Sequence, residues 1–163
     1  SAPLDPNGHV NVSPKGLDTL RVLGPRTIAY ADLTGSGIET VSHVKENGRV
    51  VLMFCAFEGP PKILRLHGKG RAIGPHEAEF PELAAHFPNY DGIRAFIRVE
   101  ISRIADSCGF GVPRMRHEGD REQLTAWAQK TGPDGLHRYR LDKNHRSLDG
   151  LPGLQAESGP NAR

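Results

Sequence analysis

The sequence predicts a small, mainly β domain of α+β type, with five or six short strands curled into a small barrel and two or three helices interposed. Three observations predict it. The chain has 163 residues, enough for one core and too few for two comfortable ones. Its 19 glycines and 13 prolines cut it into short segments, yet at about a fifth of the chain they stay below the roughly 25–30% of a disordered low-complexity sequence. Several of those segments alternate apolar and polar residues with period two, and regular strand–helix alternation is missing, which argues against a doubly wound sheet.

In chain order, Gly8–Val12 reads as a brief extended piece ended by Ser13-Pro14-Lys15-Gly16. Arg26–Leu33 (RTIAYADL) alternates and is closed by Thr34-Gly35-Ser36-Gly37, a turn that also resembles a helix start with Ser36 as N-cap. Ile38, Val41 and Val44 then recur every three residues up to Asn47-Gly48, a helix ending in a C-cap glycine. Arg49–Phe57 is continuously apolar enough to predict a fully buried strand, and Lys62–Ile73 alternates among basic residues and glycines. His76–Phe87 predicts a short helix stopped by Pro88. In Ile93–Ile104, Ile93, Ala95, Ile97, Val99 and Ile101 take one face, leaving Arg94, Phe96, Arg98, Glu100 and Ser102 on the other. Glu118–Lys130 predicts a helix with Leu124 and Trp127 on one face, Trp127 serving helix packing or a dimer interface rather than ring stacking. After Leu141 the pattern dissolves into polar and turn residues. The expected organisation is one domain over 1–154 and a flexible tail over 155–163. Val50, Leu52, Phe54, Ile97, Val99 and Ile101 are the expected core.

Composition excludes several functions. Net charge is +2, so nothing marks a polyelectrolyte partner such as nucleic acid. Val50–Phe57 is the longest apolar run, too short to cross a membrane. Cys55 and Cys108 sit in or beside apolar runs, which fits a reducing, cytoplasmic setting better than a disulfide scaffold. No two of the eight histidines have metal-like spacing, so no metal site is expected. No G-x-S-x-G is present, neither cysteine has a neighbouring base, and no carboxylate pair stands out.

Three segments could carry chemistry. His9–Gly16 (HVNVSPKG) ends an extended piece with a hydroxyl, a cation and an approachable backbone, suited to an anion, or is an ordinary strand and turn. Leu33–Thr40 (LTGSGIET) runs a strand into a Gly-Ser-Gly turn and a helix start, where free N–H groups and the dipole favour phosphate, with Ser36 and Thr40 adding hydroxyls. A plain capped helix explains it equally. Lys62–Gly70 (KILRLHGKG) alternates basic side chains with two glycines that would let a flat ligand approach the backbone, or presents a solvated strand face.

Taken in order, HVNVSPKG, AYADLTGSGIETVSHVKENGRVVLMFCAF and ILRLHGKG resemble the pyridoxamine 5′-phosphate oxidase-like flavin-binding proteins. CGFGVP (Cys108–Pro113) and KNHRSLDGLPG (Lys143–Gly153) resemble one bacterial subgroup of them, so that the likeness runs from about residue 8 to 153. The resemblance implies an FMN-binding split β-barrel that dimerises, with a flavin at each of two sites between subunits. Residue by residue, it places Ser13 and Lys15 at the strand end facing the flavin and its phosphate, and Ser36, Gly37 and Thr40 in the phosphate cradle. It lays Val51–Phe54, with Met53 and Phe54, beside the isoalloxazine. Arg65, rather than His67, is the basic residue expected to meet the flavin ahead of Gly68.

The implied activity is an FMN-dependent oxidoreductase acting on a small molecule, with no catalytic residue assignable. Two departures argue against making pyridoxal phosphate: the arginine-rich C-terminal segment of the oxidases is not found, and Ile63 stands where they carry glutamine. Family members usually carry a helix and a first strand ahead of the segment beginning here at Ser1-Ala2-Pro3, which leaves completeness of the barrel open. The alternatives are a deazaflavin (F420)-dependent reductase, whose longer acidic tail would draw on Lys62, Lys69 and Arg71, and a flavin-binding protein without turnover. Haem-binding split barrels also exist, and histidine content alone does not decide against haem.

Overall fold

A 15-residue strand organises the molecule. In the computed structural model, which describes residues 1–154, this strand is β5 (Ile93–Ser107) and it stands at the centre of a single antiparallel sheet. The other strands are β1 (Leu20–Gly24), β2 (Thr27–Leu33), β3 (Arg49–Cys55) and β4 (Ile63–Ile73), in the spatial order β1-β2-β5-β4-β3. β4 accompanies β5 from Phe96 to Ser107, whereas β2 pairs with it only from Ile93 to Glu100. The sheet is therefore staggered, with β1–β2 at one end and β3 at the other.

Helix α1 (Glu39–Glu46) covers one face. Val41 and Val44 pack with Ile38 against Ile28, Tyr30, Leu66, Ile97, Val99 and Ile101. Its end is set by Asn47 and by Gly48 at φ 71, a left-handed position that glycine adopts without steric cost. Helix α2 (Glu79–Ala84) covers the opposite face, where Phe96 lies between Phe80 at 4.8 Å and Phe87 at 5.0 Å. The α2 helix is shorter than the expected 76–87, because Glu77 first closes a turn by accepting the Gly74 N–H.

Both faces of the first half of β5 are thus buried, which corrects the expected alternation. Phe96 is fully buried and Arg94 is 6% exposed, although both were placed on the outer face. Ile97, Val99 and Ile101 form the core as expected. Val50 and Leu52 are only half-buried and Phe54 is exposed, because β3 is an edge strand covered by α1 only near its start. The fully buried strand expected at 49–57 is not found.

Other elements depart from expectation for local reasons. β1 falls in a stretch, Leu17–Pro25, that no pattern marked. Residues 8–12 form no sheet strand, since Asn11 donates through Nδ2 to Thr40 Oγ1 and His9 meets Asp149 instead of a ladder. Helix α3 (Gln123–Lys143) begins later and runs further than 118–130. It is two helices joined at Gly132, φ 67, with Pro133 starting the second half, where a proline's missing N–H is not needed. Trp127 packs edge-on against Tyr139 at 5.1 Å, bridging the two halves. The tail expected at 155–163 lies outside the described residues.

Candidate functional site

At the end of β2 a buried charge centre replaces the apolar core. Asp32, 1% exposed, accepts from Lys15 Nζ on Oδ1 at 2.8 Å and from Arg94 Nε on Oδ2 at 2.8 Å. A carboxylate this deep requires such partners, since desolvation without them costs several kcal/mol. Two cations against one carboxylate leave a local charge of +1.

Arg94 spends its remaining donors on the turn that follows β2. Its Nη1 donates to the Gly35 carbonyl at 3.1 Å and to Asn144 Oδ1 at 2.9 Å, and its Nη2 donates to the Gly37 carbonyl at 2.7 Å. Asn144, wholly buried, adds an Nδ2 bond to the Gly35 carbonyl at 2.9 Å. The turn then enters α1 at Ile38, which supplies no side-chain cap; Ser36 is exposed and is not the N-cap that the sequence predicted. Thr40 sits in the first turn of α1, bonded to Asn11 and to the Tyr30 hydroxyl. Burial, reinforced by the Asp32 carboxylate, pushes the Tyr30 phenol far above its usual range. The ring of Tyr30 also lies under Lys15, whose Nζ is 5.4 Å from its centroid.

The structure therefore brings Lys15, Gly37 and Thr40 into one neighbourhood, with exposed Ser36 at its lip. Ser13 is exposed and joins none of these bonds among the described residues. Sequence reasoning missed Tyr30, Asp32, Arg94 and Asn144. The signal for Asp32 was available: a lone acid in an otherwise apolar strand needs a buried cation. Nothing local indicated which cation.

Met53, Phe54 and Arg65 belong to a second region. Met53, 59% exposed, stands opposite Arg65 in the β3–β4 ladder, and Arg65 stands opposite Ala105. Arg65 Nη1 donates to Ser107 Oγ at 3.1 Å. Phe54 is one residue on and points to the opposite face. Arg65 and His67 were expected to project to opposite faces, but two apart on β4 and opposite Met53 and Val51 they share one, so geometry does not single out Arg65. The neighbouring glycines serve packing rather than ligand approach: a Cβ on Gly68 would come within 2.3 Å of the Glu100 carbonyl, and one on Gly70 within 2.9 Å of Val44.

The two regions do not meet within one chain. Tyr30 is opposite Ile97 and Arg65 opposite Ala105, eight residues further along β5. That is about 26 Å of extended strand at roughly 3.3 Å per residue, longer than one flavin mononucleotide. The side chains also leave opposite faces, because Tyr30 and Leu66 share the α1 face. A cavity of about 410 Å³ lies behind the turn against Val41, Lys45, Arg94 and Arg140, and none of the eight predicted site residues lines it. Among the described residues, no helix is long and apolar enough to cross a membrane.

The antiparallel sheet with few helices, and the buried charge centre beside the start of α1, define a small, mainly β protein. The pyridoxamine 5′-phosphate oxidase family model matches residues 2–108, and the chain belongs to that family. The "Pyridoxamine 5'-phosphate oxidase family protein ustO" of Aspergillus flavus is 40% identical over 168 residues, which cover 91% of this chain and 66% of that protein. The chain thus spans just under two thirds of this relative's length. Two crystal structures of HupZ from Group A Streptococcus, each 20% identical with a TM-score of 0.48, cover 65% and 66% of this chain and 86% and 82% of theirs.

Proposed function

We propose that this chain binds flavin mononucleotide and acts as an FMN-dependent oxidoreductase on a small molecule other than a pyridoxine phosphate. The observation that carries the reading is the Lys15–Asp32–Arg94 centre beneath the turn at 35–37, a net positive group at an uncapped helix start. A phosphate has room at Gly35, where a Cβ would meet nothing within 4 Å. At Gly37 a Cβ would lie 2.5 Å from Glu39 Oε2, so the Glu39 carboxylate has to swing aside, while Ser36 and Thr40 offer hydroxyls and Lys15 is partly exposed. The exposed apolar strand face at Val51 and Met53, with Arg65 and His67 beside it, suits a flat ring.

Because one chain holds these halves too far apart, the reading requires a homodimer in which the phosphate group of one subunit serves the ring face of the other. When bound, the flavin would supply hydride transfer. The chain's own residues neutralise and orient the phosphate, exclude water from the ring face and present Arg65 to its polar edge. The deazaflavin alternative loses two of its cations, since Lys62 pairs with Asp106 at 3.2 Å and Arg71 with Glu77 and Glu79.

The test is the visible spectrum of freshly purified protein, with mass identification of what denaturation releases. A flavin spectrum with released FMN supports the reading, and bleaching by a reductant substrate separates an enzyme from a storage protein. A single violet band would move the assignment to deazaflavin and a Soret band to haem. A colourless protein that takes up no added FMN sinks it.

A further inference from the structure

Resting on the flavin phosphate reading, we infer that Asn144 and Arg94 are the positioning residues that give the site its selectivity for a phosphate, and that the 144–154 loop exists to hold Asn144 in place. The peptide bond is planar and trans, so a carbonyl turned one way turns the next residue's N–H the other. The chain has no cis peptide among the described residues. Arg94 and Asn144 draw the Gly35 and Gly37 carbonyls inward, which turns the N–H groups of Ser36 and Ile38 outward. Among the described residues neither N–H has a hydrogen-bond partner. They are the donors an anion at this turn would meet.

Asn144 is fixed on every side. Its Oδ1 accepts from Arg94, its Nδ2 donates to Gly35, its N–H donates to the Arg140 carbonyl at 2.8 Å and its carbonyl accepts from Leu154 N–H at 2.9 Å. The loop that follows grips one side of α1 at positions three apart: Leu148 N–H donates to Glu39 Oε1, Ser42 Oγ to the Leu151 carbonyl, and Lys45 Nζ to the Gly153 carbonyl at 2.6 Å. Gly153 must be glycine, because a Cβ would lie 2.1 Å from the Asn144 carbonyl. The KNHRSLDGLPG segment thereby ties the helix and the turn together.

The test compares affinities for FMN and for riboflavin, which lacks the phosphate, in the wild type, Asn144→Ala and Asn144→Asp. The Asp variant is isosteric and keeps an acceptor for Arg94 while losing the donor to Gly35, so it guards against a variant that fails to fold. The wild type should prefer FMN, and both variants should lose about tenfold of that preference with riboflavin affinity within about twofold. A purely structural role would weaken both ligands together, and that result, or an unchanged preference in the folded Asp variant, overturns the inference. A wild type that binds both flavins equally overturns the phosphate reading itself.

Discussion

The two ends of β5 are built on opposite terms. Toward its start the strand is paired on both edges from Phe96 to Glu100, covered on both faces and, at Arg94, surrounded by buried polar groups, with Asp32 1%, Asn144 0% and Arg94 6% exposed. Around Ile104 it is paired with β4 alone and ringed by exposed apolar side chains, including Ile104 at 56%, Met53 at 59% and Val51 at 44%. The first end pairs its buried carboxylate with two cations of the same chain. The second leaves apolar side chains exposed. The proposed function divides accordingly, with the phosphate assigned to the closed end and the ring and a second subunit to the open end.

That contrast can be broken or sharpened experimentally. The largest effect belongs to Asp32→Ala, which strands two cations and should cost about 3–5 kcal/mol of folding stability. Urea denaturation reads it, and a loss under about 1 kcal/mol would show that the closed end is not held by its charges. Next, Lys15→Ala should weaken FMN binding by about 1–3 kcal/mol through loss of a charge-assisted contact. Isothermal titration measures it, and unchanged affinity removes Lys15 from the phosphate site.

At the open end, Met53→Glu should leave the folding stability of the chain within about 0.5 kcal/mol, as exposed positions do. It should nonetheless dissociate the proposed homodimer, read by light scattering. If it destabilises the monomer as strongly as Asp32→Ala, the two ends do not differ as described. The smallest effect concerns His43, fully buried in α1, its Nδ1 3.0 Å from Ser1 Oγ and its Nε2 unpartnered among the described residues. Burial lowers its pKa from the usual 6.5, so the neutral ring is the folded form. The stability it permits is complete above that value and declines as pH falls below it, because the unfolded chain takes up the proton first. His43→Gln should flatten the stability profile below about pH 6.5. An unaltered acid limb would place the sensitivity elsewhere.

What could be read from the sequence was local. The alternation of RTIAYADL marked β2, the three-residue recurrence of Ile38, Val41 and Val44 with Asn47-Gly48 marked α1, and the alternation of 93–104 marked β5. Each signal lies within one element, where backbone geometry repeats over two or about four residues. The likeness of the ordered motifs to the oxidase family was equally legible. Ser36 as a cap, the burial of β3 and the outward placement of Arg94 and Phe96 failed for one reason. Each depends on what other parts of the chain lay against the element.

Residue types and periods by themselves determined that this chain makes short strands punctuated by turns, with a Gly-Ser-Gly turn leading into a helix. Tertiary structure alone decided that Asp32 meets Arg94 from 62 residues away, that Asn144 reaches back to Gly35, and that Met53 faces outward. Pairing energies between distant charges, and the cover that packing lends or withholds from a strand face, have no imprint in the local pattern.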